Sequence, residues 1–437
     1  MSIFAPTRTG RRAGTRALDL AVVVNGFPRL SETFVLHELL ELEQAGVRLH
    51  VIALRRPEEV VQHEALARLQ AEVEYLPELS QSAPGLAVRI AHAALALRHP
   101  RRYLDALAEA IASPDFSRPA LRRSVVLAHR LVRLGSPPLY LHFANKPATV
   151  GRFAALFAGV RYGMSAHAKD IWLTPPAELA RKVRSAEVVV TCTSDGRRYL
   201  AELAGGRTPV VLAHHGVEAR PPLARDRANA RPVILSVGRL VEKKGHATLV
   251  RAAALLAARG LDFTLRIAGE GAEWSRLQRL CHELQVGDRV AFLGPLSASE
   301  VEAEYARADV FALACEELSN GDRDGIPNVL LEAMSHALPV VSTTCAGVRE
   351  SVPEGRCGLL VPQRDDVALA DALATVLLDA NLRARLGGAA RQHVVAHFDR
   401  RTCFQPVIDA LRGAGLVGIG AGRALDESRD AGLRRAA

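Results

Sequence analysis

Nowhere along these 437 residues do two cysteines stand at a short pairing distance. The six, Cys192, Cys281, Cys315, Cys345, Cys357 and Cys403, are scattered. Neither a zinc site nor a disulfide framework is indicated, and a reducing cytoplasm is the expected compartment. No window approaches the roughly twenty apolar residues that span a bilayer, and the basic start, Met1 to Arg16, has no apolar core before a cleavage site. Neither export nor a membrane-spanning helix is expected. Aromatic residues make up only 5% and are not interleaved with the basic ones, which disfavours a base-stacking nucleic-acid binder. No Walker-type Gly-Lys-Ser/Thr ending occurs, and histidine spacing does not point to a metal.

What is present is the balance of a soluble globular protein, 49% hydrophobic and 24% charged, in a chain too long for one core. Two domains are expected. Leu18 to Asn25 reads as a strand, a helical pattern follows from Ser31 as N-cap to Gly46, and Val47 to Leu54 is the next strand. A helical stretch runs on to Leu134, and strands resume at 139–143, 162–166, 188–192 and 210–213. Pro221 and Pro222 mark 218–231 as a linker and one hinge segment of a closing cleft. Beyond it, strands at 233–237, 263–268, 290–293, 310–314 and 339–342 alternate with helices, the first from Gly245 to Ala258, and 366–397 is helical. The expected organisation is a basic segment 1–16, a first α/β domain 17–217, the linker, a second α/β domain 232–395, and a terminal segment 396–437 that crosses back to the first domain and frays from Gly413. Both domains read as doubly wound layers.

The net charge of +9 admits nucleic acid, anionic lipid or a phosphorylated small molecule as partner. Much of it lies in 97–134, where Arg98, Arg101, Arg102, Arg118, Arg122, Arg123, Arg130 and Arg133 face few acids. Solvated helix faces and a surface resting on anionic lipid are both open readings.

Chemistry concentrates at predicted strand ends. Gly321 to Met334 places Asp324 and Glu332 around a Gly325-Ile326-Pro327-Asn328 turn that opens a helix, whose free amides suit polyhydroxylated or anionic ligands. After the strand at 233–237, Gly238-Arg239 and Lys244-Gly245 offer a guanidinium and an ammonium able to neutralise a diphosphate; as an isolated pair they would be ordinary surface charges. Gly269 and Gly271 end another strand and would let a nucleoside approach the backbone. His167 follows a first-half strand, as do His142 and the pair His214-His215, and a lone histidine there is as readily structural. Gly26 and the residues to Thr33 offer amides at a helix start.

Taken together and in order, these motifs resemble the retaining glycosyltransferases of family 4, of the two-domain GT-B fold. Asp324-x7-Glu332 matches their Glu-x7-Glu element, and Gly238, Arg239, Lys244 and Gly245 their Gly-Arg…Lys-Gly element. Phe27 to Phe34, His142-Phe143-Ala144 and Ser165 to Trp172 are similar to the colanic-acid and exopolysaccharide branch. The resemblance implies sugar transfer from a nucleotide diphosphate sugar to a glycan or lipid-linked acceptor, at the inner face of the plasma membrane, without metal or cofactor. It implies that Arg239 and Lys244 stabilise the leaving diphosphate and that Glu332 accepts from ribose hydroxyls. Asp324 with the 325–328 amides would hold the donor sugar or its phosphate, and His167 would contact the sugar. The departure is Asp324, one methylene shorter than the usual Glu. A front-face transfer is the expected mechanism, with Asp324 as covalent nucleophile the alternative. A nucleotide-sugar epimerase and a non-enzymatic basic nucleotide-binding or nucleic-acid-binding protein remain as other classes.

Overall fold

The computed structural model describes residues 18–29, 32–57, 64–77, 85–218 and 231–418. The basic segment 1–16, the cap at Ser31 and almost all of the linker 218–231 lie outside the described residues. Two parallel sheets form the molecule. The first contains β1 (Leu20–Gly26), β2 (Leu49–Arg55), β3 (Glu72–Tyr75), β4 (Leu139–His142), β5 (Tyr162–Ala166), β6 (Val189–Thr191) and β7 (Val210–Leu212), ordered 3-2-1-4-5-6-7. The second contains β8 (Val233–Val237), β9 (Thr264–Ala268), β10 (Val290–Gly294), β11 (Val310–Leu313), β12 (Val340–Thr343) and β13 (Gly358–Val361), ordered 10-9-8-11-12-13. Strand order reverses between β1 and β4 and between β8 and β11, and open sheets bind ligands beyond the carboxyl ends at such switch points.

Helices cover both faces of each sheet, so the central strands are apolar on both sides instead of alternating. In the first domain Val125, Leu131 and Phe157 pack one face while Leu36, Leu39 and Leu42 pack the other. In the second, Leu249, Leu256 and Leu373 oppose Leu330, Met334 and Val394. This is the GT-B architecture.

Two edge strands escape the sequence pattern. Glu72–Tyr75 was absorbed into an expected helical stretch because Glu72-Val73-Glu74-Tyr75 is short and mostly polar, as half-exposed edges are. Gly358–Val361 is likewise only four residues long. The expected helix over 366–397 is two helices, Asp366–Leu378 and Ala380–His397, broken at Asp379, whose carboxylate accepts from the amides of Asn381 and Leu382 (both 2.9 Å).

The helix Arg400–Gly413 packs on the first domain. Phe404, Val407, Ile408 and Leu411 are buried in the same core as Leu36 and Leu39. The crossing is at Val217, whose amide donates to the Phe398 carbonyl (2.9 Å) while its own carbonyl accepts from Arg400 (3.1 Å). Fraying from Gly413 is corrected as far as Gly418: Leu416 and Val417 are buried, and Arg161 donates to the carbonyls of Ala414 (3.2 Å) and Gly415 (2.6 Å), because apolar side chains there reach the first core.

Candidate active site

One wall comes from the second sheet. Beyond β8, the Gly238 amide donates to Ala268 (3.0 Å) and the Leu240 amide to Glu270 (2.8 Å), so the turn lies flat on the loop after β9. A Cβ at Gly269, where φ is +135°, would collide with the Gly238 carbonyl, and one at Gly271 with that of Leu240. These glycines therefore join two strand ends. Arg239 between them is exposed and forms no ion pair with a described residue. The next turn, Glu242–Lys244, closes on Gly245, left-handed at φ +66° and pressed against the Ala314 carbonyl after β11.

That turn delivers two ammonium groups to the Gly321–Gly325 loop. Lys244 Nζ lies 2.6 Å from Asp324 Oδ2, and Lys243 Nζ lies 3.3 Å from Asp324 Oδ1 and 3.0 Å from Asp322 Oδ1. Burial pushes the Asp324 carboxyl up, but Lys244 and Lys243 together more than reverse this and hold it below its ordinary value. Burial likewise works to lower Lys244, and the charge of Asp324 outweighs it, so the ammonium is kept. Lys243 was missed in the sequence because two adjacent lysines look alike until the turn shows both pointing inward.

The helix Asn328–Ser335 starts after Pro327, which is its N-cap in extended conformation without a side-chain cap bond. Ile326, Leu330, Leu331 and Met334 are buried and anchor it, while Asn328 Oδ1 is buried with no hydrogen-bond partner among the described residues. Glu332 accepts from Tyr305 Oη (3.0 Å), and burial raises its carboxyl against the opposing effect of that bond. Nothing local in the sequence marks Tyr305.

The first domain supplies the facing wall. Asp170 turns its buried carboxylate back to accept from the amides of Ala144 (2.8 Å), Ala168 (2.9 Å) and His167 (3.2 Å), which fixes the loop after β5. His167 Nδ1 is 3.2 Å from His215 Nε2, and the His167 ring is stacked on His142 at 5.7 Å and 4°. Phe34 lies 4.6 Å from His167 and stacks on His215 at 4.2 Å, and Phe143, in left-handed conformation at φ +77°, closes the other side at 4.9 Å. Behind them the buried Glu38 carboxyl sits 3.6 Å from His142 Nε2 and is pushed up to about 8 by burial, with a Tyr140 hydrogen bond opposing. Burial pushes His142 and His215 down to about 3 and His167 well below its ordinary value, so all three rings are neutral. Gly26 is not part of this group: it is the last residue of β1, paired with Arg55 of β2.

The walls meet at Gly325. A Cβ there would sit 3.3 Å from Cys192 Sγ and 3.5 Å from the His167 carbonyl, and one at Gly347 would collide with the Gly325 carbonyl from behind. The Arg323 guanidinium rests 3.7 Å over the Trp172 ring. Glu350 accepts from Ser194 Oγ (2.6 Å) and pairs with His214 Nε2 (2.7 Å). Asp324, Lys244 and His167 thus belong to one assembly, while Gly269 and Gly271 hold the loop after β9 against the turn after β8 and Gly26 ends β1. His167, Cys192 and His215 place their ligand-type atoms within 4.8 Å of one another. Burial holds the Cys192 thiol above its ordinary value, and it donates to the His167 carbonyl (3.4 Å), so as arranged the set fixes the His167 loop.

Residues 224–393 match the family described as glycosyl transferases group 1. The chain is 32% identical over 275 residues to a GDP-mannose-dependent alpha-(1-6)-phosphatidylinositol monomannoside mannosyltransferase of Mycobacterium tuberculosis, covering 60% of this chain and 71% of that one. It is 28% identical over 400 residues to the putative colanic acid biosynthesis glycosyltransferase WcaL of Escherichia coli K12, covering 86% and 95%. HepE of Anabaena, solved in complex with UDP and glucose, shares the fold at TM-score 0.67 and 18% identity, covering 91% of this chain and all of that one (100%).

Proposed function

The chain belongs to the group 1 glycosyl transferases and is a hexosyltransferase, and we propose that it transfers a sugar from a nucleotide diphosphate sugar, with retention, to a glycan or lipid-linked acceptor in exopolysaccharide or lipopolysaccharide biosynthesis. The observation that carries this reading is the Lys244–Asp324 pair, seated beside exposed Arg239 at the carboxyl edge of β8 and facing His167 across Gly325. As the anomeric C–O bond breaks, negative charge grows on the departing diphosphate. Arg239, exposed and in no ion pair with a described residue, is placed to meet it, and Lys244 is close by with its charge secured. The orphaned Asn328 Oδ1 and the open helix amides are suited to donor hydroxyls and phosphate oxygens. Glu332, already held by Tyr305, is the acceptor group for the ribose.

The front-face route is favoured by how Asp324 is engaged. Both its oxygens face ammonium groups, which stabilises the carboxylate and lowers its nucleophilicity. The acceptor proton then passes to the departing phosphate, with His167 contacting the sugar. No metal takes part in this scheme, because Lys and Arg charges neutralise the leaving group; unchanged turnover in a chelator tests that point. WcaL supports the exopolysaccharide assignment, the mannosyltransferase a lipid-linked acceptor, and HepE a UDP-sugar-type donor. The work would then take place at the cytoplasmic face of the membrane.

The test is incubation with UDP-, GDP- and ADP-sugars and a lipid extract, following nucleotide release and the anomeric proton of the product. Retained configuration with one donor supports the proposal. An inverted product, or a glycosyl adduct trapped on Asp324, overturns the mechanism.

A further inference from the structure

The helix Leu86–Arg98 is apolar on two opposite faces. Val88, Ala91 and Leu95 are buried against the first domain, whereas Leu86, Ile90 and Leu97, at spacings of four and seven that share one helix face, are 73%, 49% and 85% exposed. The next helix, Pro100–Ile111, repeats the pattern: Ala106 and Ala110 are buried, and Leu104 and Ile111, seven apart, are 62% and 54% exposed. His92 Nδ1 and Tyr103 Oη, 2.7 Å apart, tie the two helices together. Single exposed leucines are ordinary, but five large apolar side chains on two consecutive helices are a patch that asks for a partner.

Charge identifies that partner. Residues 85–135 carry nine arginines, no lysine and only three acids, Asp105, Glu109 and Asp115. Glu109 is already engaged by Arg181 (2.9 Å) and Asp115 by Arg152 (3.1 Å). Arg89, Arg98 and Arg101 are exposed and form no ion pair with a described residue, and Arg89 and Arg101 flank the apolar stripes. Guanidinium forks match phosphate oxygens, and an apolar stripe edged by them is the chemistry of a helix lying in a lipid interface.

We infer that the helices Leu86–Arg98 and Pro100–Ile111 dock the enzyme on an anionic bilayer, with Leu86, Ile90, Leu97, Leu104 and Ile111 in the acyl boundary and the arginines on headgroup phosphates. The inference rests on the reading of a lipid-linked acceptor and names the surface that would bring the cleft to it. Each leucine buried in the boundary is expected to tighten partitioning about tenfold.

The experiment is co-sedimentation of the full chain with vesicles of phosphatidylcholine alone or with about one third phosphatidylglycerol, at ~0.1 M salt where surface charges are partly screened. Binding to the anionic vesicles only is expected. Leu97→Asp with Leu104→Asp should lower it about a hundredfold, and the triple change of Arg89, Arg98 and Arg101 to Gln should remove the lipid preference. Both variants alter exposed side chains and should keep the parent melting temperature and its stabilisation by nucleotide-sugar. Absence of sedimentation, or sedimentation indifferent to the leucine changes, overturns the inference. A dimer in size-exclusion chromatography that the leucine changes dissociate also overturns it, since the stripes would then join two copies. Vesicle binding without any nucleotide-sugar stabilisation would instead sink the transferase mechanism and leave the docking surface standing.

Discussion

Lys244 Nζ stands 2.6 Å from Asp324 Oδ2, joining the turn after β8 to the loop that opens the helix Asn328–Ser335. Both groups are largely withdrawn from water, and Lys243 braces the same carboxylate from its other oxygen. The pair therefore fixes the turn after β8 against the loop that follows β11.

Asp324→Asn leaves Lys244 without its counter-charge and Lys243 with Asp322 alone. Breaking one partner of a buried pair costs on the order of 3–5 kcal/mol, so a large fall in melting temperature is expected. A bound diphosphate would supply the missing charge. Nucleotide should thus stabilise this variant by more than it stabilises the parent; an equal or smaller shift contradicts the electrostatic role.

Arg239→Gln should behave in the opposite way. The side chain is exposed and forms no ion pair with a described residue, so stability is expected to stay within about 0.5 kcal/mol. Loss of a donor aimed at developing charge costs roughly a hundredfold or more in kcat. Steady-state kinetics beside a thermal melt reads both, and an active variant would remove Arg239 from the mechanism.

The buried titratable groups predict a stability maximum near pH 6.5. His142 and His215, and His246 elsewhere in the second domain, are held near 3 against an ordinary 6.5, so the unfolded chain binds more protons than the native one below pH 6.5. Stability should fall there by on the order of 1 kcal/mol per histidine per pH unit. Glu38 has the opposite sign: raised to about 8 from 4.5, it keeps its proton in the fold while the unfolded chain has lost its own, so stability falls as pH rises toward 8. Denaturant melts at pH 5.5, 6.5 and 8 check both slopes. Glu38→Gln should flatten the alkaline one and steepen the acid one, because a carboxyl raised from 4.5 to about 8 opposes the histidines between pH 5.5 and 6.5.

Gly347→Ala forces a methyl into the Gly325 carbonyl and displaces the loop that touches Cys192 and the His167 carbonyl. A loss of about 1–3 kcal/mol is expected for such overpacking, with a larger fractional loss of kcat than of donor affinity. Unchanged kinetics would show that the contact of the two walls is not needed for turnover.

The two sheets were legible because buried parallel strands are continuous apolar runs between helical patterns, as in Leu20–Gly26 and Val233–Val237. Glu72–Tyr75 and Gly358–Val361 were not, since edge strands of four residues carry little pattern. In the site, Arg239, Lys244, Asp324 and His167 could be named from strand-end position and family resemblance. The supporting partners were hidden: Lys243 at Asp324, Tyr305 at Glu332, Glu38 at His142 and Glu350 at His214 are distant in sequence from the groups they meet, and His215, legible only as following a strand, is paired with His167 by the tertiary fold alone.

The Arg239, Lys244 and Asp324 assembly is proposed to receive a nucleotide diphosphate sugar. Thermal unfolding of the parent and of Arg239→Gln with UDP-, GDP- and ADP-sugars tests it most directly. One donor at a hundred times its dissociation constant should stabilise the parent by about 2.7 kcal/mol and Arg239→Gln by clearly less. No stabilisation by any of them, or equal stabilisation of parent and variant, contradicts it.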